Sequence, residues 1–274
     1  MRLGSIDGRA VLVRDDEVVD LATASDGRLG PDLLSAYARW DDVRALAATA
    51  PAATGPLDPR RLERPVAPRQ VFAIGMNYAA HAAETGKAVP EIPATFTKFP
   101  ASLGGPYDPI ELSGDLVDWE VELVVVIGRR ADRVAEADGW AHVAGLTVGQ
   151  DISDRDVQMR AGAQFSLGKS FRGYGPVGPV VVTPDELADP DDLGLRCTVD
   201  GEVVQDGRTS DMVFTVPRLV AELSAVVPLL PGDVIFTGTP AGVGWGHEPP
   251  RFLRPGQVLE STIEGIGTMR NEIR

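Results

Sequence analysis

The chain has 274 residues, 43% of them hydrophobic and 24% charged, with 40 acidic against 26 basic side chains and a formal charge of −14. That length and composition allow a real core in one large domain, or in a domain with a smaller appendage. The acidic balance sets the chain against nucleic-acid phosphates and anionic membranes, which need a basic patch, and it requires a local positive centre to hold any anionic substrate. Cys197 is the only cysteine, which excludes an intrachain disulfide and a thiolate zinc cluster. No apolar signal core opens the sequence, and no apolar run nears the roughly 18 residues of a membrane span. A cytoplasmic location is the expectation.

MRLGSI, AVLVR and EVVDL read as short strands, with Asp7-Gly8 as a hairpin turn between the first two. Residues 32–50, DLLSAYARWDDVRALAATA, carry apolar side chains at mixed three and four spacings and read as helical. Residues 50–70 are rich in proline, alanine and arginine and read as a connector. The boundary falls near residue 65. It separates a small N-terminal α/β domain over 1–65 from a main domain over 66–274.

Asn77 to Gly86, NYAAHAAETG, has a capping residue at one end and a glycine at the other. About two turns of helix are too short to stand alone in water, so this one depends on docking, as a closing lid would. His81 and Glu84 are three apart and share a face. They form either a surface ion pair or a base held by its carboxylate.

From Val71 onward the pattern is mainly short strands broken by Pro and Gly: VELVVVIG, AGLTVG, VVVT, LRCTVDG, DVIFTG and LESTIEG. One clear helix lies at VPRLVAELSAV. This is not the alternation of a doubly wound sheet. It predicts a mainly β domain with a few helices, in the α+β class. LLPGDVIFTG and FLRPGQVLES echo each other as two similar Pro-Gly turns, each feeding a strand.

Within Trp119-Glu120-Val121-Glu122-Leu123-Val124-Val125-Val126-Ile127, alternation puts Glu120 and Glu122 on one face with Val124 and Val126. Their Cα atoms would lie about 6.5–7 Å apart. At an effective dielectric of about 20, the two carboxylates would repel by roughly 2–3 kcal/mol. Either the strand starts at the surface and both stay wet, or a cation sits between them. Oxygen-only ligands would select a hard cation such as Mg²⁺, Mn²⁺ or Ca²⁺.

Gln150-Asp151-Ile152-Ser153-Asp154-Arg155-Asp156-Val157-Gln158 leaves a strand and starts a helix, with Ser153 as the expected cap. Asp151 precedes that cap, which capping does not explain. Arg155 and Gln158 share a helical face and could together hold a substrate carboxylate. Lys169 sits in LGKSFRGYGPVGP, too rich in Gly and Pro for a helix; Lys98, in Phe96-Thr97-Lys98-Phe99, is a weaker candidate. In VIFTGTPAGVG, a Gly-Thr-Pro turn with the Thr239 hydroxyl could bind an anion, without the spacing of a Walker or dinucleotide loop. His142 and His247 belong to no such pattern.

These segments, in this order, resemble the fumarylacetoacetate hydrolase family. The matching stretches are Asp118 to Leu123, Gln150 to Gln158, and Gly168-Lys169-Ser170-Phe171 with Gly175-Pro176-Val177-Gly178-Pro179. Leu230-Pro231-Gly232-Asp233, running to Thr237-Gly238-Thr239-Pro240-Ala241-Gly242-Val243-Gly244, completes the set. The resemblance runs from about Val71 to the C-terminus. It implies a layered β-sheet roll with a small N-terminal α/β appendage. By it, Glu120, Glu122 and Asp151 ligate a divalent ion, usually Mg²⁺ or Mn²⁺, with Ca²⁺ an alternative occupant in crystals. His81 and Glu84 become a lid dyad that activates water, Lys169 stabilises an oxyanion, and Thr239 clamps a carboxylate beside Arg155 and Gln158. The partner implied is a small anionic 2-oxo acid, with no nucleic acid or membrane, and the chain is expected to pair as a homodimer. The activity implied is metal-dependent hydrolysis of a C–C bond in an acylpyruvate-like β-diketo acid. Rival readings are decarboxylation of oxaloacetate, isomerisation or tautomerisation of a 2-oxo dienoate, and an idle anion-binding homologue.

Overall fold

In the computed structural model, which describes residues 1–160, 162 and 164–274, the strand Val121–Ile127 lies inside an eleven-stranded mixed sheet. Its sequence is apolar on both faces after Glu122, and all of it is buried. Leu123, Val125 and Ile127 point into one core, shared with a second, four-stranded sheet. Val124 and Val126 point into another, which Tyr37 and Trp40 cover from the N-terminal helices. Val143–Gln150 and Val234–Phe236 flank the strand, both antiparallel to it. Gly175–Val182 lies beyond the first, and Val71–Gly75 and Ala94–Thr97 beyond the second.

The second sheet runs Glu202–Arg208, Gly194–Val199, Val258–Ile263 and Gly267–Glu272, all antiparallel. VLESTI in this sheet alternates half-buried and buried positions, as a sheet packed on one face does. The helix Val216–Val226 buries Val216, Leu219, Val220 and Leu223 against the same core. This is the mainly β, α+β architecture that the sequence predicts. Among the described residues, no helix is long and apolar enough to cross a membrane.

The N-terminal strands Arg2–Ile6, Arg9–Arg14 and Glu17–Asp20 form a meander. Asp7 and Gly8 both adopt positive φ, 51° and 72°, the conformation that a two-residue hairpin turn requires. Arg2 pairs with Val182, so this segment extends the same sheet as the strand Val121–Ile127. The stretch expected to be helical divides at Arg39 into Leu33–Ala38 and Trp40–Ala48. The echoed Pro-Gly turns both hold their glycine left-handed, Gly232 at φ 88° and Gly256 at 90°. They feed strands in different sheets, so they share turn chemistry and do not mark a repeat.

Two expected caps are corrected. Asn77 does not cap the short helix, which spans Ala79–Glu84 after Tyr78. Instead it is buried, with Nδ2 donating to Phe214 O (3.0 Å) and Thr237 O (2.7 Å) and Oδ1 accepting from Phe214 N (2.7 Å). Ser153 does not cap the helix Arg155–Arg160 either; the Val157 N–H donates to Asp154 Oδ1 at 2.9 Å. Ser153 is held in a short strand, Ser153–Asp154, paired with Val117–Asp118. Its hydroxyl is thereby turned to other partners.

Asn77 ties the end of one central strand to two loops. Asn77→Ala would leave a buried N–H and two carbonyls without partners, so it should destabilise the protein by about 3 kcal/mol. Urea unfolding, read as a lower midpoint at unchanged slope, checks this.

Candidate active site

The register of the two central antiparallel strands builds the site. Gln150 pairs with Val121 and Gly149 with Glu122, which sets Asp151 directly across from Glu120, with its N–H on Glu120 O at 2.9 Å. Opposed residues of an antiparallel pair share a face, so Asp151 joins Glu120 and Glu122 on one side of the sheet. Carboxylate oxygens of the three lie within 4.8 Å of one another. All three side chains are buried. The wet-strand alternative is therefore excluded.

Two glutamines hold the strand end in place. Gln150 Oε1 accepts from the Glu120 N–H, and Gln205 Oε1, reaching from the second sheet, accepts from the Val121 N–H, both at 2.9 Å. Gln205 Nε2 then donates to Thr239 Oγ1 (2.7 Å), and the Thr239 hydroxyl donates to Val121 O (2.8 Å). The hydroxyl that the sequence assigned to an anion clamp thus has its proton on the protein backbone.

Three buried cations face the carboxylates. Lys169 Nζ donates to Glu120 Oε2 (2.9 Å), Asp151 Oδ2 (2.6 Å) and Ser153 Oγ (2.9 Å). Lys98 Nζ donates to Asp151 Oδ1 (2.7 Å) and to the Lys169 carbonyl. Arg155 pairs with Asp118 at 2.7 Å and with Glu120 at 2.7 Å, and donates to Gln158 Oε1 at 2.9 Å. Its guanidinium and Gln158 thus form one unit, already engaged with carboxylates of the chain.

The resulting electrostatics are uneven. Burial pushes Glu120 up, but Lys169 and Arg155 outweigh it and hold the carboxyl below its usual range. Glu122 goes the other way: burial, then the charges of Asp151 and Glu120, push it well above the usual range. Burial also opposes the charge on Lys169, yet Asp151 and Glu120 keep its pKa raised. Lys98 is lowered by burial despite Asp151.

Asp118, Glu120, Glu122 and Asp151 against Lys98, Lys169 and Arg155 leave one negative charge in excess. Among the described residues, no cation touches Glu122; its close partner is the Gly238 N–H at 2.9 Å. Gly238 sits at φ 96°, and a Cβ there would stand 2.8 Å from Asn77 Cβ, so the close approach of this turn needs glycine. A compact, buried, oxygen-only triad with one unneutralised carboxylate fits a hard divalent cation.

The helix Ala79–Glu84 lies against this cluster. Its end is closed by Gly86 N–H to Ala83 O (3.0 Å) and Lys87 N–H to Ala82 O (2.8 Å), with Gly86 left-handed at φ 68°. His81 Nδ1 meets Glu84 Oε1 at 2.7 Å, and Glu84 Oε2 accepts from the Gly242 N–H at 2.8 Å. With Glu84 ionised, the imidazole proton lies on Nδ1 and Nε2 carries the lone pair. His81, Glu120, Arg155, Gln158, Lys169 and Thr239 all line one cavity of about 160 Å³. Glu84, Glu122 and Asp151 stand behind its wall, and neither His142 nor His247 lines it.

All nine residues expected from the sequence therefore converge. Sequence reasoning gave no site role to Gln150, Gln205, Ser153 and Asp118, and it underweighted Lys98. A lysine between two phenylalanines carried some signal. Gln205 carried none, since its contact with Val121 spans 84 residues.

Comparison with known proteins places this geometry. Residues 70–274 match the family model described as fumarylacetoacetate (FAA) hydrolase C-terminal. The mitochondrial oxaloacetate tautomerase Fahd2a of Rattus norvegicus is 43% identical over 262 residues, covering 93% of this chain and 83% of the rat protein. A crystal structure of a Mycobacterium smegmatis protein provisionally called HpcE superposes with a TM-score of 0.95 at 49% identity, over 100% of this chain and 99% of that one. The fumarylacetoacetate hydrolase of Exiguobacterium antarcticum gives 0.82 at 34% identity, over 100% and 99%. The chain belongs to the fumarylacetoacetate hydrolase family. The expected cytoplasmic location does not stand, because the relative from Rattus norvegicus is a mitochondrial protein.

The raised Glu122 pKa has a consequence for stability. A carboxyl whose pKa is higher folded than unfolded favours the fold below its ordinary value of 4.5 and loses that contribution as pH rises through the folded value. In metal-stripped protein at pH 8, Glu122→Gln should therefore raise Tm by about 3 °C or more, with the gain shrinking towards pH 4.5. Saturating Mg²⁺ should reverse the order, stabilising only the wild type. Thermal melts with and without chelator test this; a variant less stable than wild type in chelator at pH 8 would contradict it.

Proposed function

We propose that the chain catalyses proton transfer at C3 of a small 2-oxo acid, interconverting keto and enol forms of an oxaloacetate-type substrate. One observation carries this reading: His81 is fixed by Glu84 at 2.7 Å while its ring lines the same cavity as Glu120 and Lys169. That is the minimum apparatus for moving a proton between carbon and oxygen. The rat relative's name, a tautomerase at 43% identity, supports the same order of preference.

Glu120, Glu122 and Asp151 would hold Mg²⁺ or Mn²⁺, which when bound supplies Lewis acidity towards the 2-oxo and carboxylate oxygens. The chain's own residues do the rest. His81 Nε2 accepts the C3 proton, and the Glu84 carboxylate stabilises the imidazolium that results. The same nitrogen returns the proton to the enol oxygen, so one C–H bond breaks and one O–H bond forms. Lys169 places a fixed positive charge beside the oxygen where negative charge develops. Closure of the helix Ala79–Glu84 keeps bulk water from the imidazolium.

A second reading is C–C hydrolysis of an acylpyruvate, which the sequence placed first. The same dyad can take a proton from water, and the hydrolase of Exiguobacterium antarcticum matches over its whole length. Identity favours the tautomerase.

Purified protein with Mg²⁺ should be followed on oxaloacetate for enol loss by ultraviolet absorbance, with pyruvate release as the decarboxylation arm. Acetopyruvate cleavage is the hydrolysis arm. Enol–keto conversion should be the fastest, and His81→Ala should lower it by about 10²–10⁴-fold. Unchanged conversion in a folded His81→Ala protein would sink the proposal, and faster acetopyruvate cleavage would install the second reading.

A further inference from the structure

The cavity has a deep end and a mouth, and different charges mark them. At the deep end Glu120 and Lys169 are buried; at the mouth Lys87, Met159 and Trp245 are exposed. Three cations line the wall: Arg155, Lys169 and Lys87. The first two are engaged by Asp118, Glu120 and Asp151. Among the described residues, Lys87 is in no ion pair, so it is the one lining cation that no carboxylate of the chain neutralises.

Lys87 is nonetheless held in place. Its backbone N–H closes the end of the lid helix on Ala82 O at 2.8 Å. Its Nζ stands over the Phe165 ring, 5.2 Å from the centroid. Phe165 meets Phe96 edge-on at 5.8 Å, and Lys169 Nζ stands 5.3 Å from the Phe96 centroid. Two lysines thus bracket a pair of aromatic rings along one wall, one beside the acidic triad and one at the opening. Cation–π contact of this kind fixes a position while leaving the ammonium protons free for an anion.

From this we infer that Lys87 is a specificity-determining residue that receives a second, distal carboxylate, so the preferred substrates are 2-oxo dicarboxylates over 2-oxo monocarboxylates. The inference rests on the cavity being the 2-oxo acid site. A substrate whose 2-oxo acid end occupies the triad places its other end towards the mouth, where Lys87 is the available countercharge. Because the Lys87 N–H closes the end of the helix Ala79–Glu84, a dicarboxylate also ties that helix down over the dyad. A monocarboxylate has nothing to offer it.

The test compares oxaloacetate with pyruvate on the Mg²⁺-loaded enzyme. Trp245 lines the cavity, so fluorescence quenching can report Kd for each acid. Wild type should prefer oxaloacetate, and Lys87→Met should reduce that preference by about ten-fold or more, as loss of a charge-assisted hydrogen bond does. Lys87→Arg should keep the preference and Lys87→Glu should invert it. Deuterium incorporation at C3 of both acids, followed by NMR, reports the proposed proton transfer separately. If neither acid exchanges but the binding preference collapses in Lys87→Met, the inference stands and the proposed function falls. A wild type without preference, or a preference unchanged in Lys87→Met, overturns the inference whatever the exchange shows.

Discussion

Three buried carboxylates with oxygens within 4.8 Å of one another, Glu120, Glu122 and Asp151, are the constraint on which the rest of the molecule depends. Like charges at such distances in a region of low dielectric repel by several kcal/mol, and burial adds a desolvation penalty to each. Lys169, Lys98 and Arg155 offset most of it, each placed on a different carboxylate oxygen. What they leave is one carboxylate too many, located at Glu122. The cluster is thus balanced short of neutrality, and a divalent cation turns an excess negative charge into an excess positive one.

That reversal would let a chain of formal charge −14 hold the proposed acid. Long-range attraction opposes the encounter, so affinity has to come from a local centre. The buried lysines and arginine supply little of the resting affinity, because carboxylates of the chain already pair with them. Their work is to let four acidic groups stay together. A bound divalent cation would add positive potential at the deep end of the cavity, while Lys87 carries positive charge at its mouth.

Holding this arrangement takes both sheets. The strand Val121–Ile127 could not keep Glu120 and Asp151 opposed if the N–H groups of Glu120 and Val121 lacked acceptors, since these lie where the strand ladder ends. Gln150 and Gln205 supply them, and Gln205 joins the same hydrogen bonds to the Thr239 turn. Asn77 does the like for the loop that carries Gly238. The short helix Ala79–Glu84 completes the site. It is too small to be stable alone and is secured by Glu84 on the Gly242 N–H, so the carboxylate that orients His81 through one oxygen docks the helix through the other.

Much of this was written in local pattern. Alternation along Trp119–Ile127 placed Glu120 and Glu122 on the face of Val124 and Val126, where they are found. The odd position of Asp151, before its helix rather than in it, marked it as unexplained by capping. The Asp7-Gly8 turn and the helix Val216–Val226 followed from residue types whose conformational preferences act over a few bonds. The tertiary structure alone decided which amide or ammonium reached which carboxylate. Ser153 looked like a cap and proved to be a partner of Lys169, while Asn77 looked like a cap and proved to be a buried bridge. Gln205 and the pairing of Lys87 with Phe165 were equally unreadable, and Lys98 was legible only as a weak candidate. Periodicity fixes the face on which a side chain lies, but the partner across a core is set by how sheets stack, and that is a property of the whole chain.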